Sequence, residues 1–164
     1  MVFWHNKGWL MFRTAMEFIR GEYAKRGYQE VNTPIILNKD LWVQSGHWEH
    51  YKENMYVVTI DEKENAIKPM NCPGAILIYK DTSRSYKELP LRLAEFGLVH
   101  RHELAGVLSG CFRVRSFIQD DAHIFLMPDQ IKAETKRLFD FIDFVYKTFG
   151  FEDTGELSNK PENS

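Results

Sequence analysis

The sequence predicts a mixed α+β chain, and three observations carry that reading. Apolar residues recur at three- and four-residue spacing near both ends, two β-prone segments flank an acidic turn, and two longer strand-like segments are joined by a small-residue loop. From Trp9 to Lys25, residues Phe12, Ala15, Met16, Ile19 and Tyr23 keep the helical rhythm, and Gly27 supplies a stop. GYQEVNTPIIL then reads as a short strand that Pro34, lacking an amide donor, ends or places at an edge. A short helix is expected near Lys39 to Ser45. MYVVTI and AIKPM suit a pleated surface on either side of Asp61 to Asn65, which predicts a hairpin, and NCPG is a turn that opens a helix.

LPLRLAEFGLVHRHE and CFRVRSFIQDDAHIFL are both strand-like, with Arg113 and Arg115 alternating against Phe112, Val114 and Phe117. LAGVLSG is the loop between them. From Asp129 to Phe149 the positions Ile131, Thr135, Leu138, Ile142, Val145 and Phe149 form a stripe expected to face a core, with Pro128 before it and Gly150 behind. The tail over 155–164 has no apolar pattern and is expected to fray.

At 164 residues, 44% hydrophobic and 27% charged, the chain suits one core of ordinary size. A net charge of -2 argues against a stand-alone domain that holds nucleic acid mainly by neutralising phosphates. The opening MVFWHNKGW lacks a signal pattern and no long apolar run follows, so the expectation is a cytoplasmic chain without a membrane segment. In that compartment Cys72 and Cys111 are expected as free thiols or a metal ligand, with a disulfide as the other possibility.

The densest chemistry lies in VHRHE and RVRSFIQDDAH. Arginines gathered on one face of an antiparallel pair would cradle a polyanion, because guanidinium forks match phosphate oxygens; a solvated face with Arg–Glu pairs is the alternative. Cys72 and His123 are of zinc-binding types, but their separation has no motif spacing, so a buried thiol and a satisfied histidine stand beside a metal site. His5, His47, His50, His100 and His102 are read as structural. Asp120 and Asp121, adjacent on a strand, point to opposite faces, and at most one can serve a given site.

In their order and separations, SGHWEHYKENMY, IKPMNCPG, SYKELPLRLAEFGLVHRHE and RVRSFIQDDAHIF resemble the catalytic core of threonyl-tRNA synthetases, which are class II synthetases. Seryl- and prolyl-tRNA synthetases share that fold but lack the KPMNCPG and QDDAH pair. The resemblance runs from about Phe3 to Pro161. It implies an α+β class II catalytic core, an antiparallel sheet flanked by helices, occupying 1–164 as a partial domain cut before motif 3.

The resemblance also implies roles for single residues. EVNTP with Pro34 looks like motif 1, which helps form a homodimer interface in the family, while Arg101 and Glu103 look like the start of motif 2 and Arg113 its return strand. Arg101 would hold the ATP α-phosphate and later the transferring acyl group. Glu103 would accept from the adenine amino group, Arg113 would support ATP and Phe117 would stack on adenine. Cys72 and His123 stand where the family has two of its three zinc ligands, with Met70, Gln119 and Asp121 lining the threonine pocket and Asp121 facing the ammonium. Implied partners are threonine, ATP with Mg2+, and tRNA(Thr).

The family's third zinc ligand, a histidine beyond motif 2, the motif 3 arginine, the editing region and the anticodon-binding domain are not in this sequence. Exposed sheet edges and self-association are therefore expected, with little or no activity from this chain alone. Ala75 and Ser109 stand where histidine is common, and Cys111 is read as an apolar core position. A stand-alone synthetase-like binding or regulatory protein, and an interaction module pairing with a full-length synthetase, remain as other readings.

Overall fold

The computed structural model describes residues 2–152 and 154–156. The chain forms two compact units, one ending at Phe125 and the other beginning at Leu126. The expected frayed tail lies from residue 157 outside the described residues.

In the first unit, α1 (Asn6–Arg26) ends at Gly27, whose φ of 73° is the left-handed conformation that a residue without Cβ adopts at no cost. Ile19 and Tyr23 of the expected stripe are buried, and Tyr23 meets Phe96 at 5.7 Å between ring centroids. Two short strands follow, β1 (Gln29–Glu30) and β2 (Ile36–Asn38), with Pro34 exposed in the link between them. The helices α2 (Lys39–Gln44) and α3 (His47–His50) lead to the hairpin β3 (Tyr56–Ile60) and β4 (Lys63–Ile67). Its turn is tighter than Asp61 to Asn65: Asp61 and Glu62 alone make it, both at positive φ, while Glu64 and Asn65 pair with Thr59 and Val58. A two-residue turn of this hand matches the twist of the flanking strands.

Next come α4 (Cys72–Lys80), β5 (Leu91–His100) and β6 (Ser116–Phe125). β5 and β6 pair antiparallel over ten residues each, and β1 adds a short parallel edge, giving the order β1-β5-β6. The second sheet has the order β2-β4-β3, and its Ala66 is buried in one cluster with Trp42 and Met55. Side chains alternate across β6, so Phe117, Gln119, Asp121, His123 and Phe125 share one face. Tyr79 of α4 stacks on Phe125 at 4.1 Å, which puts α4 on that face, whereas α1 meets Phe96 on the other.

A buried ionic knot joins these parts. Lys68, 1% exposed, donates to Glu95 Oε1 at 2.9 Å and Thr33 Oγ1 at 2.7 Å, and Glu95 accepts from the Thr33 amide at 2.8 Å. Gly74 sits directly over Thr33, where a Cβ would come within 2.8 Å of its side chain. The Lys68 backbone meanwhile donates to Ile35 and accepts from His100, so one residue bridges the two sheets.

Three expectations change. The arginine-bearing segment is not strand: β6 begins at Ser116, and 113 makes only an isolated bridge with Ser109, so Arg113 is exposed in the loop and Phe112 is 99% exposed. Cys111 lies in the same loop and is exposed, not core, because the turn carries it away from the sheet; both cysteines are free thiols. In the second unit, α5 (Ile131–Thr148) forms as expected, yet Ile131, Leu138, Ile142 and Phe149 are exposed and the buried positions are Glu134 and Phe141. Among the described residues, no helix is long and apolar enough to cross a membrane.

Removing one member of the knot strands a buried charge. Lys68→Ala or Glu95→Ala is expected to cost about 3–5 kcal/mol, and the Lys68→Met/Glu95→Leu double variant much less, as read by urea unfolding. Burial pushes the His100 imidazole below its ordinary pKa, and its Nδ1 is buried without a partner. Below about pH 6.5 the unfolded chain then binds a proton that folded His100 refuses, so stability falls as pH drops through that range. His100→Gln is expected to flatten that part of the slope in urea midpoints taken from about pH 7.5 to 5.5; an unchanged slope would assign it to other groups.

Candidate functional site

The site is built on the β6 face that α4 covers. Its chain segment, Pro69 to Cys72, crosses the sheet because Lys68 is pinned below it and α4 begins at Cys72 with proline in its first turn. Asn71, fully buried, donates through Nδ2 to Asp121 Oδ2 at 3.1 Å and to Gln119 Oε1 at 3.4 Å. Opposite Gln119 on β5 stands Gly97, and a Cβ there would lie 2.1 Å from Asn71 Oδ1. Glycine in this strand interior is thus the seat of the Asn71 amide.

Cys72 Sγ, a carboxylate oxygen of Asp121 and a ring nitrogen of His123 all lie within 4.8 Å of one another. Burial, reinforced by the Asp121 charge, raises the Cys72 thiol pKa. Donors around one zinc ion lie roughly 3.3–3.7 Å apart, from bonds of about 2.0–2.3 Å in tetrahedral geometry, so small rotamer changes fit these donors to that ion. Asp120 is on the opposite side of the strand and exposed, as alternation requires.

At the far end of the same strand, the Arg101 guanidinium lies 5.2 Å over the Phe117 ring, and its Nε donates to the Pro69 carbonyl at 3.1 Å. Glu103 pairs with Arg113 through Oε2 at 2.9 Å, and its carbonyl accepts from Arg115 Nε at 2.8 Å. An open cavity of about 800 Å³ borders Arg101, Glu103, Arg113 and Phe117 and is closed on another side by Trp4, Trp9 and Phe12. Met70 lies apart, in a shallower depression of about 260 Å³ with Tyr51 and His47, whose Nε2 is 3.1 Å from the Met70 sulfur.

Thus the structure brings together Cys72, Asp121 and His123, gathers Gln119 to them through Asn71, and sets Arg101, Glu103, Arg113 and Phe117 around one cavity. Pro34 is exposed and makes none of the hydrogen bonds described for these groups. Sequence reasoning passed over Asn71, Lys68 and Glu95. The signal for the last two was a charge inside each of two apolar strand segments, and for Asn71 a glycine in the interior of β5.

The model of the tRNA synthetase class II core domain (G, H, P, S and T) matches residues 56–163. A threonine–tRNA ligase from Caldanaerobacter subterraneus subsp. tengcongensis is 60% identical over 162 residues, which is 99% of this chain and 25% of that protein. A crystal structure of the RNA binding domain of threonyl-tRNA synthetase from Cryptosporidium parvum Iowa II superposes with a TM-score of 0.88 at 49% identity, over 90% of this chain and 37% of that one. Prolyl-tRNA synthetase from Giardia lamblia in complex with prolyl-adenylate shares the fold, with a TM-score of 0.78 at 21% identity over 88% of this chain and 30% of that one. The chain spans about a quarter of the length of the curated relatives it matches. It belongs to the class II tRNA synthetase core-domain family and, along nearly its whole length, is a homologue of threonine–tRNA ligases.

Proposed function

We propose that residues 1–164 are part of the catalytic domain of a threonine–tRNA ligase and contribute its motif 1 and motif 2 surfaces to threonine activation. One observation supports this above others: Phe117, Gln119, Asp121 and His123 follow one another on a single face of β6, beneath the Pro69–Cys72 segment and beside Arg101. An ATP end and an amino-acid end are then contiguous along one strand.

In this reading the threonine carboxylate attacks the α-phosphorus of ATP, pyrophosphate leaves, and the threonyl group later passes to the terminal adenosine of tRNA(Thr). Catalysis rests on positioning and charge neutralisation. Arg101 holds the α-phosphate oxygens and is itself steadied by the Pro69 carbonyl and the Phe117 ring. Phe117 offers a stacking surface to adenine, Glu103 accepts from its amino group, and Arg113 supports ATP, which enters with Mg2+. Asp121 faces the threonine ammonium, with Gln119 and Met70 lining the pocket.

Cys72 and His123 would hold a zinc ion, which when bound would coordinate the amino and hydroxyl groups of threonine and so reject valine, whose missing hydroxyl leaves coordination unmet. Serine keeps the hydroxyl and needs an editing site elsewhere. Pro34 belongs to the surface through which two copies pair, and the setting is the cytoplasm.

Two measurements test the reading. Titration of the purified chain with MgATP, followed by tryptophan fluorescence, is expected to give saturable binding that Arg101→Ala weakens at least about tenfold, the loss of one charge-assisted phosphate contact. Binding indifferent to Arg101 would remove it from the ATP site. In a ligase carrying these residues, Cys72→Ser is expected to lose both zinc and threonine-dependent ATP–pyrophosphate exchange. Full exchange in a zinc-free protein would sink the metal assignment, and nucleotide binding with no exchange under any condition would favour a binding or regulatory protein.

A further inference from the structure

Asn71 stands at the N-cap of α4, where an asparagine side chain ordinarily accepts from the first free amides of the helix. Asn38 does so for α2, taking the Asp40 amide at 2.8 Å. Asn71 makes no such cap. It turns into the sheet instead, fully buried in the space that Gly97 leaves open. There both hydrogens of Nδ2 are committed, one to Asp121 Oδ2 and one to Gln119 Oε1, while Oδ1 is buried with no partner. A side chain that forgoes its local cap and leaves an acceptor unsatisfied lowers stability, and an orphaned acceptor in a folded chain calls for a reason other than packing.

The reason lies in the order of donors and acceptors. The Asp121 carboxylate only accepts, so it draws the Nδ2 end of the Asn71 amide. That end, being a donor, takes Gln119 by its oxygen, and Nε2 is then the end of the Gln119 amide that Asn71 does not use. One carboxylate thus sets the direction of two amides in turn. We propose that Asn71 is a positioning residue for amino-acid recognition, which holds Asp121 as the acceptor for an ammonium group and presents Gln119 through its Nε2 donor to an oxygen of the same ligand. The inference rests on the reading of Asp121 and Gln119 as lining the threonine pocket. A zwitterionic amino acid offers both features, an ammonium that donates and carboxylate or hydroxyl oxygens that accept. A pocket whose amides were free to turn would show it either end of Gln119, and fixing them beforehand removes their ordering from the free energy of binding.

The test is ATP–pyrophosphate exchange in a ligase carrying these residues, with KM for threonine and KM for ATP measured separately, alongside the thermal midpoint. Asn71→Leu, nearly isosteric, removes the donor and the orphaned acceptor together. It is expected to raise the threonine KM at least about tenfold, the loss of a hydrogen bond to a charged group, with the ATP KM within about twofold and the midpoint unchanged or higher. A purely structural residue would move both KM values or lower the midpoint. Gln119→Glu keeps an oxygen toward Asn71 and replaces the Nε2 donor by an acceptor, and it is expected to raise the threonine KM while leaving the ATP KM unchanged. Should Asn71→Leu fail to fold, Asn71→Ser, which has no amide to reach either acceptor, carries the test. A wild-type threonine KM in the Asn71 variant or in Gln119→Glu, or equal losses for threonine and ATP, would overturn the positioning role while the proposed function stands. An unchanged threonine KM in Asp121→Ala would sink the reading of the pocket beneath it.

Discussion

The interaction on which the rest of the first unit depends is the buried contact between Lys68 and Glu95, closed by Thr33. Each of the three comes from a different stretch of chain: the exit of the hairpin, the middle of β5, and the link after β1. A hydrophobic contact of the same area would hold these stretches together in many orientations. A lysine with only its ammonium donors, facing a carboxylate that also takes the Thr33 amide, accepts few. Such a pair contributes little net stability over apolar residues of equal volume, and its effect is to fix which segments meet.

What it fixes is the path of the four residues that follow Lys68. Pro69 is placed to accept from Arg101, Asn71 to reach Asp121 and Gln119, and Cys72 to begin α4 beside His123. The Arg101 end and the Cys72–His123 end of the candidate site are therefore tied to one short segment. Because side chains alternate on β6, the strand can present Phe117, Gln119, Asp121 and His123 in a row to that segment without any loop having to be ordered.

Much of the secondary structure was legible in the sequence, since periodicity and breakers act locally: α1 with Gly27, α4 opening within NCPG, the hairpin and α5 all form where their patterns place them. The misreadings have a common cause. Alternation of Arg113 and Arg115 with apolar neighbours looks like a strand, but the pattern alone does not say whether a partner strand reaches that far, and here pairing stops at His100 with Ser116. Cys111 was assigned to a core for the same reason. The α5 stripe has the right period, yet amphipathicity specifies a face and not what covers it. At the candidate site, Cys72, Asp121 and His123, which the structure brings together, could be singled out by residue type. The residues that aim them, Asn71 and its seat at Gly97, could not be, because their role is visible only once two strands and a turn are in register.

That seat makes β5 more than a scaffold. At Gly97 the backbone itself is the wall against which an amide rests, with no side-chain freedom to absorb a change. Adding even a methyl group there would push Asn71 aside and swing the carboxylate it holds, although the altered residue touches no ligand. The geometry of the cluster beneath α4 is thus exposed to drift through a residue with no functional group at all, two strand positions from the buried carboxylate Glu95 that anchors the same strand.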